Sequence, residues 1–352
     1  MIKGMDISSL TEVERCGGRF YDHGREKDLM EILKSYGTNY VRLRLWNDPY
    51  APDGRPYGAG CSDFATTLQL ARRAQVQGFG RLLDFHYSDF WADPGKQTIP
   101  KAWRGLDEDG LTQAVYEFTK KTLEDFGAAG VMPTMAAVGN ELSNGLLWPY
   151  GKTPRYQTIA RFVSAGIRAV KSVDRTLPVM VHLDNGGNQE LYRNWFDQYF
   201  ANDGEDFDCI GLSYYPFWHG NLADLEANMN QVALRYHKDL IVAEVSMGFT
   251  TQDYKEYEKL DDAHRKGCAA KPELLAGLDY PMTREGQADF MKDVMSRIQK
   301  VPENRGKGFF YWEPAWLPRY GSEWATEAAR EYIGEPGKGG NDSESLFQSI
   351  QC

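Results

Sequence analysis

The sequence predicts an α/β fold: a single (β/α)8 TIM barrel with long loops after its strands, spanning residues 1–352 as one catalytic domain. Three observations predict it. Short β-type runs alternate with helix-like stretches from end to end. Glycines follow the helices where a left-handed cap is expected, and two glutamates stand at the ends of apolar runs.

The β-type runs cover residues 4–7, 40–45, 81–85, 135–138, 178–182, 209–214, 240–244 and 308–312. Between them, residues 28–36, 64–77, 110–129, 158–173, 222–236 and 284–299 repeat apolar side chains at three and four, as one face of a helix requires. Gly37, Gly78 and Gly130 each close one helix and lead into the next strand. Alternation of this kind argues for a parallel sheet, and eight units argue for its closure. Residues 46–63, 85–110 and 245–283 are too long for plain connectors, and long loops in a compact domain usually carry function. The last is rich in acids but lacks the spacing of a calcium loop, so it reads as a solvated flap. Residues 335–345 read as a mobile loop before a short closing segment.

Fifty acidic against forty basic residues give a net charge of −10, which opposes binding to nucleic acid or an anionic membrane surface and favours a neutral partner. Nine Trp and twenty Tyr exceed the needs of a packed interior, so part of the aromatic surface should face a ligand. Five scattered cysteines suggest neither a zinc site nor a disulfide framework. With no 18-residue apolar run and no signal-like start, the chain as written is expected to be soluble and cytoplasmic. It would be secreted if a signal peptide had been removed. A monomer is expected.

Glu141 ends the run Ala137-Val138-Gly139-Asn140-Glu141, and Glu244 ends Leu240-Ile241-Val242-Ala243-Glu244. A lone carboxylate at a strand end ordinarily just solvates it. Two of them at the mouth of one barrel match the pair that glycosidic cleavage requires, one as nucleophile and one as proton donor. Asn140 beside Glu141 offers an amide to a sugar hydroxyl. Arg42 and Arg44 share one face of their strand, where a guanidinium can hold a carboxylate ionised. The pairs Asp84/His86 and His182/Asp184 suit hydrogen bonding to sugar hydroxyls or support behind the site. With six histidines and no His-x-His, no metal and no cofactor are expected. Trp46, Tyr87, Phe90, Trp91, Trp148, Tyr214, Tyr215, Phe217, Trp218, Trp312 and Trp316 follow strands repeatedly, as stacking platforms for sugar rings would.

The segments Gly4-Met5-Asp6-Ile7-Ser8-Ser9-Leu10, Ser88-Asp89-Phe90-Trp91-Ala92-Asp93-Pro94, Gly139-Asn140-Glu141, Ser213-Tyr214-Tyr215-Pro216-Phe217 and Tyr311-Trp312-Glu313-Pro314-Ala315-Trp316 resemble glycoside hydrolase family 53, the arabinogalactan endo-β-1,4-galactanases. The resemblance runs from the first strand to the eighth. It implies a retaining enzyme that cleaves β-1,4-galactan, such as pectin side chains, or its oligosaccharides. It implies Glu141 as acid/base, Glu244 as nucleophile, Asn140 on the sugar, and an Arg of the second strand bracing the nucleophile. Tyr214 or Tyr215 would bond Glu244, and His86, Asp89, Trp91, His182, Asp184 and Trp312 would line the cleft. Two departures stand out. The loop after Glu244 shows no calcium ligand set of the kind some bacterial members carry, and Asn185-Gly186-Gly187 stands where Asp-Gly-Trp is expected, which should weaken one sugar subsite.

The alternatives are another β-1,4-glycanase of the same clan, of mannanase or xylanase type, a metal-dependent barrel hydrolase, and a non-catalytic galactan-binding protein. Turnover, sugar specificity and chelation separate them.

Overall fold

In the computed structural model, which describes residues 1–250, 272–317, 319 and 321–334, eight parallel strands close a barrel. They are β1 (Ile2–Asp6), β2 (Tyr40–Leu45), β3 (Gly80–Phe85), β4 (Met135–Val138), β5 (Val179–Leu183), β6 (Cys209–Tyr214), β7 (Asp239–Val245) and β8 (Gly306–Tyr311). Each pairs with its sequence neighbours, and β1 closes the ring against β8. The expectations for residues 251–271 and 335–345 lie outside the described residues.

Helices form where the sequence supplies both an apolar stripe and an end signal. Asp63, Asp107 and Thr283 accept backbone N–H bonds at the starts of Phe64–Val76, Glu108–Ala128 and Arg284–Gln299. Asn221 and Asp224 bond reciprocally at the start of Leu222–Tyr236. Gly37, Gly78 and Gly130 all have φ between 72° and 90°. After each, the next N–H reaches back five residues to a helical carbonyl, as from Thr38 to Leu33 at 3.0 Å. The helix Gln189–Ala201, between β5 and β6, is an addition to the sequence reading. Its buried face is aromatic, made of Tyr192, Trp195, Phe196 and Tyr199.

Alternation along the strands divides the interior into two layers. Val41, Leu43 and Leu45 of β2 point outward to the helices, as do Leu83, Phe85, Val181, Leu183 and Val242. The lower lumen is filled by Leu82, Met135, Ala137, Met180, Cys209, Ile241, Ala243 and Phe310. Gly4 admits the Phe310 ring, because a Cβ there would lie 2.2 Å from it. Above this apolar plug the same alternation brings Asp6, Arg42, Asp84, His182 and Ser213 inward at the carboxyl ends of the strands, all fully buried.

Strand β7 breaks the alternation. Val242 pairs with Phe309 and Val245 with Tyr311, so three steps on β7 oppose two on β8. This extra residue is a β-bulge. Ile241 and Ala243 both face the lumen, so strict alternation would send Glu244 outward with Val242. The bulge instead turns Glu244 to the barrel mouth and sets it beside Ser213 of β6.

Candidate active site

Glu141 and Glu244 approach each other across the mouth. A carboxylate oxygen of each and a ring nitrogen of His182 all lie within 4.8 Å of one another. Both glutamates retain a sliver of exposure, 8% and 5%. Glu141 sits just past β4 with φ 49° and ψ 57°. This left-handed conformation is uncommon for a side-chain-bearing residue and marks a backbone held in place by its surroundings.

The two environments differ. Arg42 reaches Glu244 Oε1 at 2.8 Å, and the Tyr215 hydroxyl donates to Oε2 at 2.7 Å. Burial raises Glu244, and the Arg42 charge and the Tyr215 hydrogen bond both oppose the rise. Among the described residues Glu141 has no cationic partner. Burial first, then the negative charges of Glu244 and Asp184, push it well above the ordinary carboxylate range. These surroundings favour the charged form at Glu244 over the charged form at Glu141.

Arg42 is the hub. Its guanidinium also bonds Asp6 and Asp84, each at 2.7 Å, and Asn140 Oδ1 at 2.7 Å. Burial alone would raise Asp84, yet Arg42 and His86 bring it down to about 2. Asn140 Nδ2 donates to the Ala92 carbonyl at 2.9 Å, leaving its second hydrogen for a ligand.

Several expected sugar contacts lie elsewhere. Arg44 is buried and reaches Glu313 at 2.5 Å, with its guanidinium 4.4 Å over the Trp91 ring. Asp89 is fully buried and accepts from the backbone of Asp48 and Lys101, so it ties two loops together and does not reach the cleft. Tyr214 donates to the Gly220 carbonyl at 3.0 Å, away from Glu244. Both ring nitrogens of His86 are taken, by Asp84 at 3.0 Å and by the Trp46 indole at 3.1 Å. Both of His182 are taken as well, by Asn140 at 3.0 Å and Ser213 at 2.8 Å. The two histidines thus stand behind the carboxylates. Trp91 stacks on Trp324 at 4.0 Å and joins Trp46, Trp312 and Trp316 in a buried aromatic cluster, so Trp91 and Trp312 form a packed wall and not open platforms. Trp148 and Trp218 remain half-buried. Asp184 keeps one carboxylate oxygen, Oδ1, without a hydrogen-bond partner among the described residues.

Sequence reasoning left Asp6, Ser213 and Glu313 out of the site. Ser213 Oγ is 2.6 Å from Glu141, and Glu313 takes Arg44 and the Ser9 backbone and hydroxyl. Asp6 and Ser213 fall near the ends of expected strands, and all three lie in the segments that carry the family resemblance, signals that marked their place but not their role. The Asn185-Gly186-Gly187 departure has a structural reason: a Cβ on Gly187 would lie 2.2 Å from the His219 carbonyl. Glu141, His182 and Glu244 are also close enough for a metal ion. The prior engagement of His182 on both nitrogens, and Arg42 on Glu244, leaves that triad poorly disposed to ligate one.

The comparisons with known proteins agree with this geometry. The family described as "Glycosyl hydrolase family 53" matches residues 2–345. An endo-beta-1,4-galactanase of Bacillus subtilis (strain 168) is 37% identical, aligned over 98% of this chain and 82% of its own length. An arabinogalactan endo-beta-1,4-galactanase of Humicola insolens is 35% identical over 90% of each chain. The solved Ignisphaera aggregans GH53 catalytic domain superposes with a TM-score of 0.87 at 34% identity, covering 100% of this chain and 96% of that one. With two unequal carboxylates at the mouth of a closed barrel and a match over almost its whole length, the chain belongs to glycosyl hydrolase family 53.

Proposed function

We propose that the protein is a retaining endo-β-1,4-galactanase acting on neutral galactan or its oligosaccharides, with Glu244 as nucleophile and Glu141 as acid/base. The observation that carries this reading is the asymmetry of the pair: Glu244 is held by Arg42 and Tyr215, while burial and negative neighbours keep Glu141 protonated. Oxygens within 4.8 Å of each other fit the short separation of retaining enzymes, about 5 to 5.5 Å between carboxyl groups. Glu244 attacks C1 as Glu141 protonates the departing glycosidic oxygen. The glycosyl ester that forms removes the Glu244 charge. Glu141, now ionised, takes a proton from the incoming water, which attacks C1 and releases Glu244. Asn140 would give its remaining amide hydrogen to a sugar hydroxyl, and Asp184 Oδ1 would accept from another. Trp148, with the Lys152 ammonium 4.1 Å over its ring, and Trp218 are the half-buried tryptophans left to stack on sugar rings.

The test is product analysis on linear β-1,4-galactan beside galactomannan, xylan and cellulose. Galacto-oligosaccharides from galactan alone, first appearing as the β anomer, are expected. Release from another glycan would replace the substrate, and binding without release would leave a galactan-binding protein. With an activated β-galactoside and azide, Glu244→Ala should yield the α-galactosyl azide and Glu141→Ala the β-galactosyl azide; the reverse pairing would exchange the two roles.

A further inference from the structure

Behind Glu141 the hydrogen bonds have only one consistent direction. Asn140 Nδ2 bonds the Ala92 carbonyl and must donate, so Oδ1 is the atom that accepts from Arg42. The same oxygen lies 3.0 Å from His182 Nδ1, which therefore carries the imidazole hydrogen. In a neutral ring Nε2 is then an acceptor, 2.8 Å from Ser213 Oγ, and takes the single serine hydrogen. Ser213 Oγ also lies 2.6 Å from Glu141 Oε1, and with its hydrogen on His182 it can only accept there. The proton between them belongs to Glu141.

We propose that Arg42, Asn140, His182 and Ser213 form a directional hydrogen-bond relay that stores the catalytic proton on Glu141 Oε1 in the free enzyme. Ser213 and His182 are positioning residues that act through Glu141, and the inference rests on Glu141 being the acid/base. Ionising Glu141 would turn the Ser213 hydrogen toward the new carboxylate and strip His182 Nε2, fully buried, of its only donor among the described residues. The relay thus opposes ionisation, although a serine hydroxyl alone would favour it. Delivery requires the Glu141 carboxyl to rotate, which exchanges its oxygens and presents the O–H to the glycosidic oxygen. Ser213 then turns from His182 to donate to the other oxygen, and the proton that water later returns to Glu141 restores the stored state. The remaining charged groups add no direction of their own. Glu141 is faced by Glu244, Asp184 and Asp93, all acidic. His182 is faced by Arg42, Asp84 and His86, and burial with the Arg42 charge keeps it neutral.

Two measurements test the relay. In wild-type protein labelled with 15N-histidine, the His182 signal, identified by its loss in His182→Gln, should show the Nδ1–H tautomer from pH 5 to 8. An Nε2–H tautomer or an imidazolium at pH 6 would overturn the proposal without bearing on the substrate. In Ser213→Ala the alkaline limb of kcat/KM against pH, which reports Glu141 in the free enzyme, should move to lower pH by about one unit, tenfold in its ionisation constant. Ser213→Thr, which restores a hydroxyl, should bring it back. A limb that stays in place or moves to higher pH would sink the relay, whereas an intact tautomer in a protein that cleaves no galactan would sink the functional reading alone.

Discussion

The lower and upper halves of one barrel lumen are built on opposite principles, two residues apart on β3, β5 and β6 and three apart across the end of β4. Below, Leu82, Ala137, Met180, Gly211 and Phe310 give an apolar plug; above, Asp84, Asn140, His182 and Ser213 give a buried polar layer around Arg42. The plug needs only shape and volume, and it stabilises by leaving water and filling space. The upper layer works against burial at every position and persists because its charges and donors answer one another. The lower half is there to hold the barrel closed, and the upper half uses that rigidity to keep two carboxylates unequal.

Replacing one residue from each half separates what the two layers do. Glu244→Ala should lower kcat by about 10⁴-fold or more while the protein stays folded, as steady-state rates and circular dichroism would show. Phe310→Ala should cost about 3 to 5 kcal/mol of stability in denaturant titrations and leave kcat of the folded fraction near wild type. An equal loss of kcat would mean the two layers are not separate in function. Arg42→Met joins both effects. It leaves Asp84 and Glu244 without their arginine and Asp6 with Arg44 alone, at 3.6 Å, which should cost about 3 to 5 kcal/mol, and it should move the acid limb of the rate profile to higher pH as Glu244 loses its stabilising charge.

Stability against pH sharpens the same contrast. Burial raises Glu12 and Glu313 to about 7 and Asp184 to about 6, so the folded state holds protons that the unfolded chain releases near 4 to 4.5. Stability should therefore fall as pH rises from about 4.5 to 7, and the melting temperature should be higher at pH 5 than at pH 8. Asp84 acts in the other direction: its contribution is present above about pH 4 and is lost as pH falls toward 2. Glu313→Gln should flatten the slope between pH 5 and 8. The smallest effect belongs to the rim, where Trp148→Ala should raise KM for galactan several-fold, roughly 1 kcal/mol, with kcat little changed.

The barrel was legible in the sequence because its signals are local and repeated. The bounds of β2, β4 and β6 coincide with the sequence reading, and the other five strands differ by two residues at most. The helix Gln189–Ala201 escaped because its stripe is aromatic and opens on polar residues, although Tyr192, Trp195, Phe196 and Tyr199 keep helical spacing. At the site, both glutamates, Asn140 and Arg42 stood out by residue type and place. What the sequence could not convey is which polar atoms are already satisfied by protein. Asp89, Arg44, Tyr214 and the two histidines have the chemistry of sugar contacts, and partners distant in the chain use it up. Ser213 is a commonplace residue whose meaning comes from a neighbour 72 positions away.

The bulge on β7 makes the position of the nucleophile a matter of counting. Removing one residue at Ala243 would leave two steps from Val242 to Val245 opposite the two from Phe309 to Tyr311 and lower Glu244 to the level of the plug. The inserted residue therefore acts as a spacer that separates the register of the wall from the height of the catalytic group. A barrel of this kind can keep its closure unchanged while a single added or deleted position in one strand decides whether it carries an acid at its mouth.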